Sequence, residues 1–403
     1  MSIPAPTRAA ALARLAAFAP AMGRVYAATR NYDRGPEDRS NVSLLSPHVR
    51  HRLVTEEELV SAALARHSPS ACEKFVQEVF WRSYWKGWLE QRPSVWRDYR
   101  ARVAEGVAAL ATAGGLRRAY EDAVSGRTGI ACFDAWAREL VDTGYLHNHA
   151  RMWFASIWIF TLRLPWTLGA DFTYRHFIDG DPASNTLSWR WVGGLHTQGK
   201  HYLARAANIA EYTGGRFDPK GALDERAPPL APEPLPPATP LPPPDPAPEG
   251  EVALLVTEED CLAETLPLGR ARVIAAAGVA CTAARSPLSV GAVAERFASQ
   301  ALDDALARAG AAFGVCPERL ARFDDVPGWA AASGARTLLT AHAPVGPVAE
   351  ALDRARPALA ERGVRLLRLR RAWDSAIWPH ASRGFFQVKG RIPAILRALG
   401  LKA

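Results

Sequence analysis

Apolar residues recur at three- and four-residue steps through the first half of the chain, in segments 8–30, 55–66, 70–90, 96–111, 132–143 and 146–163. Few β-branched runs interrupt them, so the pattern predicts amphipathic helices packed into an all-helical unit. Past residue 250 the period changes. Short apolar runs at Val252–Thr257, Arg272–Ala277, Thr337–Ala343 and Val364–Leu369 alternate with helical stretches at 289–313 and 345–362, which predicts a small parallel α/β unit. Between the two lies APPLAPEPLPPATPLPPPDPAPEG, which holds twelve of the chain's 31 prolines. Such a tract favours polyproline II at about 3.1 Å per residue, so as a free linker it would reach roughly 75 Å. The expected organisation is a helical domain over 1–226, a Pro-rich linker over 227–250 and an α/β domain over 251–403.

Composition adds bounds. A chain of 403 residues, 48% hydrophobic and 22% charged, has room for two cores and reads as soluble and globular. The net charge of +8 suits a polyanion partner, but it is spread along the chain, so any nucleic-acid patch must come from folding. Cys72, Cys132, Cys261, Cys281 and Cys316 include no CxxC pair, which argues against a zinc site or a disulfide framework and suits a reducing cytosol. Arg8 and Arg14 break the first apolar run, so no signal peptide is expected. The run Met152–Leu162 sits between Arg151 and Arg163 and falls short of the roughly 20 residues a bilayer needs. A cytoplasmic monomer without membrane contact is expected. The α/β part shows no GxGxxG after a strand and no Walker loop.

Tryptophan is the unusual component: ten of thirteen fall before residue 192. They are read either as an aromatic helical core or as a surface that stacks on flat ligands and passes electrons. Three clusters bear on the choice. Glu78, Trp81, Arg82 and Trp85 stand at i, i+3, i+4 and i+7, on one helix face. This is either a binding face or a Glu78–Arg82 ion pair beside packed indoles. Next, His147-Asn148-His149-Ala150-Arg151-Met152 opens a strongly apolar helix, and an arginine entering it needs an anionic partner. Finally, Asp179-Gly-Asp181 is followed by Asn185, Trp189 and Trp191. Asp-Gly-Asp alone suggests a calcium loop or a turn, but the further acidic ligands of an EF-hand are missing, so no metal is expected.

These clusters, in this order, resemble the FAD-binding helical domain of the DNA photolyase/cryptochrome family, from about Tyr32 to Phe217. Tyr32 and Asn41-Val-Ser43-Leu-Leu45-Ser46-Pro47 resemble the segment that holds the FAD phosphates, with Val42 where a hydroxyl residue is usual. The resemblance implies FAD bound by Tyr32, Ser43, Leu45, Ser46, Arg82, Asn148, Arg151, Asp179, Asp181 and Asn185. Arg151 would pair with Asp179, Asp181 would anchor the cofactor, and Asn185 would face flavin N5. It further implies that Glu78, Trp81, Asn148, Met152 and Trp191 form a catalytic pocket for a pyrimidine dimer flipped out of UV-damaged DNA. Relatives acting on (6-4) photoproducts carry histidines at the Asn148 and Met152 positions, so the resemblance favours cyclobutane dimers. His149 replaces the usual arginine, which weakens one expected phosphate contact. Trp189 and Trp166 match the proximal and middle members of the family's electron-transfer triad. The distal member is missing near Ala113; Trp153, Trp158 and Tyr174 are the candidates to replace it.

The fold class expected is thus an all-α FAD-binding photolyase-like domain followed by a small Rossmann-like α/β domain of antenna type, with the family's domain order swapped. Val364–Arg371 and Trp378-Pro-His-Ala-Ser-Arg-Gly-Phe385-Phe386 resemble the last strand of the antenna domain and the segment after it. The function implied is light-driven repair of cyclobutane dimers by photoexcited reduced FAD, a carbon–carbon lyase reaction. The rivals are a cryptochrome-like blue-light photoreceptor, a (6-4) repair enzyme, and an inactive relative that binds FAD or DNA only. An iron–sulfur cluster is excluded, since only Cys72 and Cys132 lie in the helical part. Whether a second, antenna chromophore is bound is not fixed by the sequence.

Overall fold

The computed structural model describes residues 3–402. Helices fill the first half. Thr7 caps Arg8–Phe18 by accepting the Ala10 N–H, and Thr55 with Glu58 forms a capping box on Glu56–Arg66. The predicted 8–30 helix is broken: Pro20 sits in a 3-10 turn, and a second helix, Arg24–Thr29, starts after Gly23. Ser68 and Pro69 start the 22-residue helix Pro69–Glu90, which runs through the centre of the molecule. The apolar run after Arg151 forms Asn148–Ser156 and continues as a π-helical turn, Ile157–Thr161. Helices Trp166–His176 and Pro182–Val192 follow, the latter capped by Asp181.

The second half is a parallel sheet of order β3-β2-β1-β4-β5, formed by β1 (Glu249–Thr257), β2 (Arg270–Val279), β3 (Glu318–Arg319), β4 (Thr337–Ala341) and β5 (Arg365–Leu369). Successive side chains of a strand point to opposite faces. Ala253, Leu255, Leu338 and Leu366 pack under helix Pro347–Glu361. Val252, Leu254, Val256, Leu339 and Leu367 belong to the same apolar cluster as the core of the helical part. The sheet therefore shares a core with the helices it faces.

The proline tract is not a free spacer. It lies as a strap across both parts: Leu230 N–H donates to Gly193, Arg92 to the Pro236 carbonyl at 3.0 Å and Thr239 N–H to Gln91 at 2.8 Å. Farther on, Arg370 donates to the Pro242 carbonyl at 3.1 Å, and β1 begins at Glu249, inside the tract. The backbone of Trp378 presses on Gly87, where a Cβ would come within 2.7 Å of the Trp378 Cα.

Buried charges complete the junction. Arg50 makes two bonds to Glu259, at 2.6 and 2.5 Å. Arg52 reaches Asp260 at 3.2 Å and Asp374 at 2.5 Å, and Arg371 clasps Asp260 from the other side. Glu259 and Asp260 follow directly on β1, at the crevice beside the β1–β4 boundary where open α/β sheets commonly take ligands. Here protein side chains fill it. Among the described residues, no helix is long and apolar enough to cross a membrane.

Candidate functional site

Asp179 and Asp181 stand on either side of Gly180, on the turn that leads into helix Pro182–Val192, and both are buried. Arg151, one turn into its helix, donates to Asp179 at 2.9 Å and lies 3.9 Å over the Phe177 ring. Burial pushes the Asp179 carboxyl up, but Arg151, Arg82 and a hydrogen bond from Ser46 outweigh it and hold the group below its ordinary value. Asp181 is held lower still. Its burial is outweighed by Lys86 at 3.6 Å, Arg50 at 3.9 Å and Arg82 at 4.0 Å.

The cations exceed what these acids satisfy. Arg82 Nη1 and Lys86 Nζ are buried without a hydrogen-bond acceptor, and unpaired buried donors are costly. A site with such donors beside two fixed carboxylates suits a ligand that carries phosphates and a polar ring edge, which is the chemistry of FAD. Lys86 was not singled out in the sequence. Its spacing, four residues after Arg82 on the same helix face, was the available signal.

The phosphate-segment residues surround this group. Ser46 opens a short helix and accepts Arg82 Nη2 at its carbonyl. Ser43 Oγ accepts the Leu45 N–H, Leu45 is buried, and Arg14 ties down the Val42 and Ser43 carbonyls. Leu44 between them sits at φ 59, a left-handed conformation unusual for leucine that fixes the turn. Tyr32 is partly exposed and leans on Tyr212, with ring centroids 5.0 Å apart.

Asn185 is held within the protein: its amide donates to the Ala170 carbonyl at 2.8 Å and accepts from Thr173 at 2.9 Å. Thr173 in turn accepts the Trp189 indole N–H at 3.0 Å, so Trp189 and Asn185 are linked through one hydroxyl that sequence reading did not include. One amide hydrogen and one lone pair of Asn185 remain for a ligand.

The structure corrects the reading of Glu78 as a partner of Arg82. Glu78 pairs with Arg30 at 2.8 Å, while Arg82 turns to Asp181 and Ser46. Burial lifts the Glu78 carboxyl above its ordinary value, and Arg30 and Lys74 only partly offset this. Trp81 stacks on Phe385 and Trp191 on Tyr202, at 3.8 and 5.7 Å between centroids. Both indoles are half-buried, and Trp81 is further flanked by Trp85 at 5.3 Å and Tyr84 at 5.5 Å. Asn148 is exposed and Met152 half-buried. His149 bonds the Asn31 carbonyl and stacks on Trp153 at 4.3 Å, which turns its ring inward.

Trp189 meets the Trp158 ring edge-on at 6.2 Å. Trp166 meets Tyr99 at 6.0 Å, Tyr99 meets Trp96 at 5.4 Å, and Trp96 meets Tyr174 at 5.9 Å. Of the three candidates for a missing donor, Trp158 touches Trp189 and Tyr174 ends the row that begins at Trp166.

A helical bundle with this charged turn and these aromatic faces suits a flavin cofactor. Residues 75–226 match the family model described as the FAD binding domain of DNA photolyase. The chain is 35% identical over 198 residues to a deoxyribodipyrimidine photo-lyase of Streptomyces griseus, covering 47% of this chain and 40% of that protein. It is 33% identical over 228 residues to one of Thermus thermophilus, covering 55% and 50%. A solved class III photolyase from Agrobacterium tumefaciens aligns with a TM-score of 0.42 at 24% identity, over 52% of this chain and 43% of that one. Over residues 75–226 the chain is thus similar to the FAD-binding domain of the photolyases. It spans about half the length of the curated relatives it matches, or less.

Proposed function

We propose that this protein is a light-dependent DNA repair enzyme that splits cyclobutane pyrimidine dimers. The observation that carries the reading is the buried turn with Asp179 on Arg151 and Asp181 among Arg50, Arg82 and Lys86, inside the stretch that matches a photolyase FAD-binding domain. Arg82, Arg151, Asp179, Asp181, Asn185 and the Ser43–Ser46 turn would hold FAD, with Tyr32 at the edge. Bound and reduced, FAD supplies the light-excited electron that opens the dimer and accepts it back.

The residues of the chain bind and orient. Trp81 and Trp191 are half-buried and offer aromatic surface, which suits bases that have lost their stacking partners. Glu78, raised in pKa beside them, is suited to hydrogen-bond a base edge in either protonation state. Asn148, exposed, and Met152, half-buried, would complete the mouth. The α/β part packs onto the helix that carries Glu78 and Trp81, and fixes its rotation through Trp373, Trp378 and Phe385.

A second reading, a blue-light photoreceptor, is favoured by one observation: Phe385 already covers a face of Trp81. Illumination of an oligonucleotide carrying a cyclobutane dimer, against a dark control, decides between the two. Light-dependent restoration of the pyrimidines supports repair; flavin photoreduction without restoration, and without preference for damaged DNA, supports the photoreceptor.

A further inference from the structure

Where the strap leaves the helical part it crosses the C-terminal ends of β4 and β5. Its residues 242–245 close a cavity of about 140 Å³ against His342, Arg356, Arg368 and Arg370. The charges there are unevenly matched. His342 faces Glu90 at 3.1 Å, and Arg368 is paired with Asp353 at 2.7 Å while its Nε is buried without an acceptor. Arg370 bonds only neutral groups, the Ser375 hydroxyl and the Pro242 carbonyl. Arg356 is exposed on helix Pro347–Glu361 and enters no ion pair among the described residues. Among the residues lining the cavity, two guanidiniums therefore remain against one carboxylate, Asp245, whose Oδ2 accepts the Arg368 backbone N–H at 2.7 Å.

We propose that this cavity binds a phosphate group, as free phosphate or as the monoester of a mononucleotide. Guanidinium forks match phosphate oxygens in charge and geometry, and the orphaned Arg368 Nε supplies a further donor. Seated there, the anion joins the strap to the sheet through Arg370, which already holds Pro242. The proposal does not depend on the repair reading.

The test is calorimetric titration of the full chain at constant ionic strength, with inorganic phosphate in one series and adenosine 5′-monophosphate in another. Saturable binding is expected, weakened at least about tenfold by Arg356→Gln, a surface change that leaves the fold intact. Asp245→Asn, which keeps an acceptor for Arg368 but removes the opposing charge, should tighten binding. Equal affinities mean that the phosphate alone is recognised; tighter binding of the nucleotide assigns the site to nucleotides. No saturable binding by wild type, or equal binding by wild type and both variants, overturns the proposal.

Discussion

Phe385 lies flat on Trp81, with ring centroids 3.8 Å apart and planes 13° from parallel. One ring comes from the last segments of the chain and the other from the central helix of the helical part. The α/β part therefore supplies a wall of the candidate lesion pocket. Phe385→Ala should cost about 3–5 kcal/mol of stability, because the ring is buried and its loss opens a cavity. Phe385→Leu should cost much less. Urea unfolding monitored by tryptophan fluorescence checks both, and similar costs for the two changes would show that the stack contributes little.

Asp179→Ala strands Arg151, the acid's one hydrogen-bonded cation. Breaking a buried pair costs about 3–5 kcal/mol, and the low end applies because the Arg151 side chain is 27% exposed. The purified variant should carry little FAD, measured by absorbance after denaturation. Full flavin content would remove this pair from the site.

His147 governs an acid-sensitive step. Its Nε2 donates to the Arg30 carbonyl and its Nδ1 accepts the His149 N–H, so only the neutral ring caps the helix that carries Arg151. Burial, with Arg39 and His149 adding to it, lowers its pKa to about 4 despite Asp33. A depressed pKa gives stability that is full above the unfolded value near 6.5 and is lost as pH falls towards about 4. His147→Asn keeps a cap without the titration. The slope of unfolding free energy between pH 6.5 and 4 should then fall by up to about 1.4 kcal/mol per pH unit. Parallel pH profiles for variant and wild type would refute this.

Ring contacts rank the electron donors. Trp189→Phe should slow flavin photoreduction severely, and Trp158→Phe should slow it more than Trp166→Phe, because Trp158 meets Trp189 directly. Transient absorption on the flavin-loaded protein gives the three rates. The opposite order would place the route through Trp166 and Tyr99.

Trp191 keeps one face free of Tyr202, and base–aromatic stacking is worth roughly 1–3 kcal/mol per base. Trp191→Ala should weaken binding of dimer-containing duplex about ten- to a hundredfold and leave intact duplex nearly unchanged, since that binding rests on phosphate contacts. Paired titrations at one salt concentration check this.

Periodicity located the longest helices and four of the five strands within a few residues, because each carries a long enough apolar repeat, but it passed over the shorter helices Gly114–Val124, Trp166–His176 and Pro182–Val192. The two-residue β3 has no period to read, and Pro20 and Gly23 break a helix whose apolar spacing continues across the gap. Arg151 and Asp179 are brought together, as a lone arginine entering an apolar helix near an acidic turn suggested. The Arg30 partner of Glu78 was hidden because nearest-neighbour spacing favoured Arg82. Arg50 and Arg52 look like surface charges in the sequence. Their partners Glu259 and Asp260 lie more than two hundred residues away, and only the fold shows that all four are buried.

That ion cluster bears on how the molecule comes apart. Dividing the chain in the strap would leave Arg50 and Arg52 in one fragment and Glu259, Asp260 and Asp374 in the other. Each fragment would also expose its side of a common apolar cluster. Charges built to be dry are poorly suited to sit on a half-molecule, so each fragment depends on its complement for stability. Melting should therefore be a single cooperative transition across the whole protein, with no temperature at which one half stands folded alone. The strap then serves less to connect two finished bodies than to keep two complementary halves at high effective concentration.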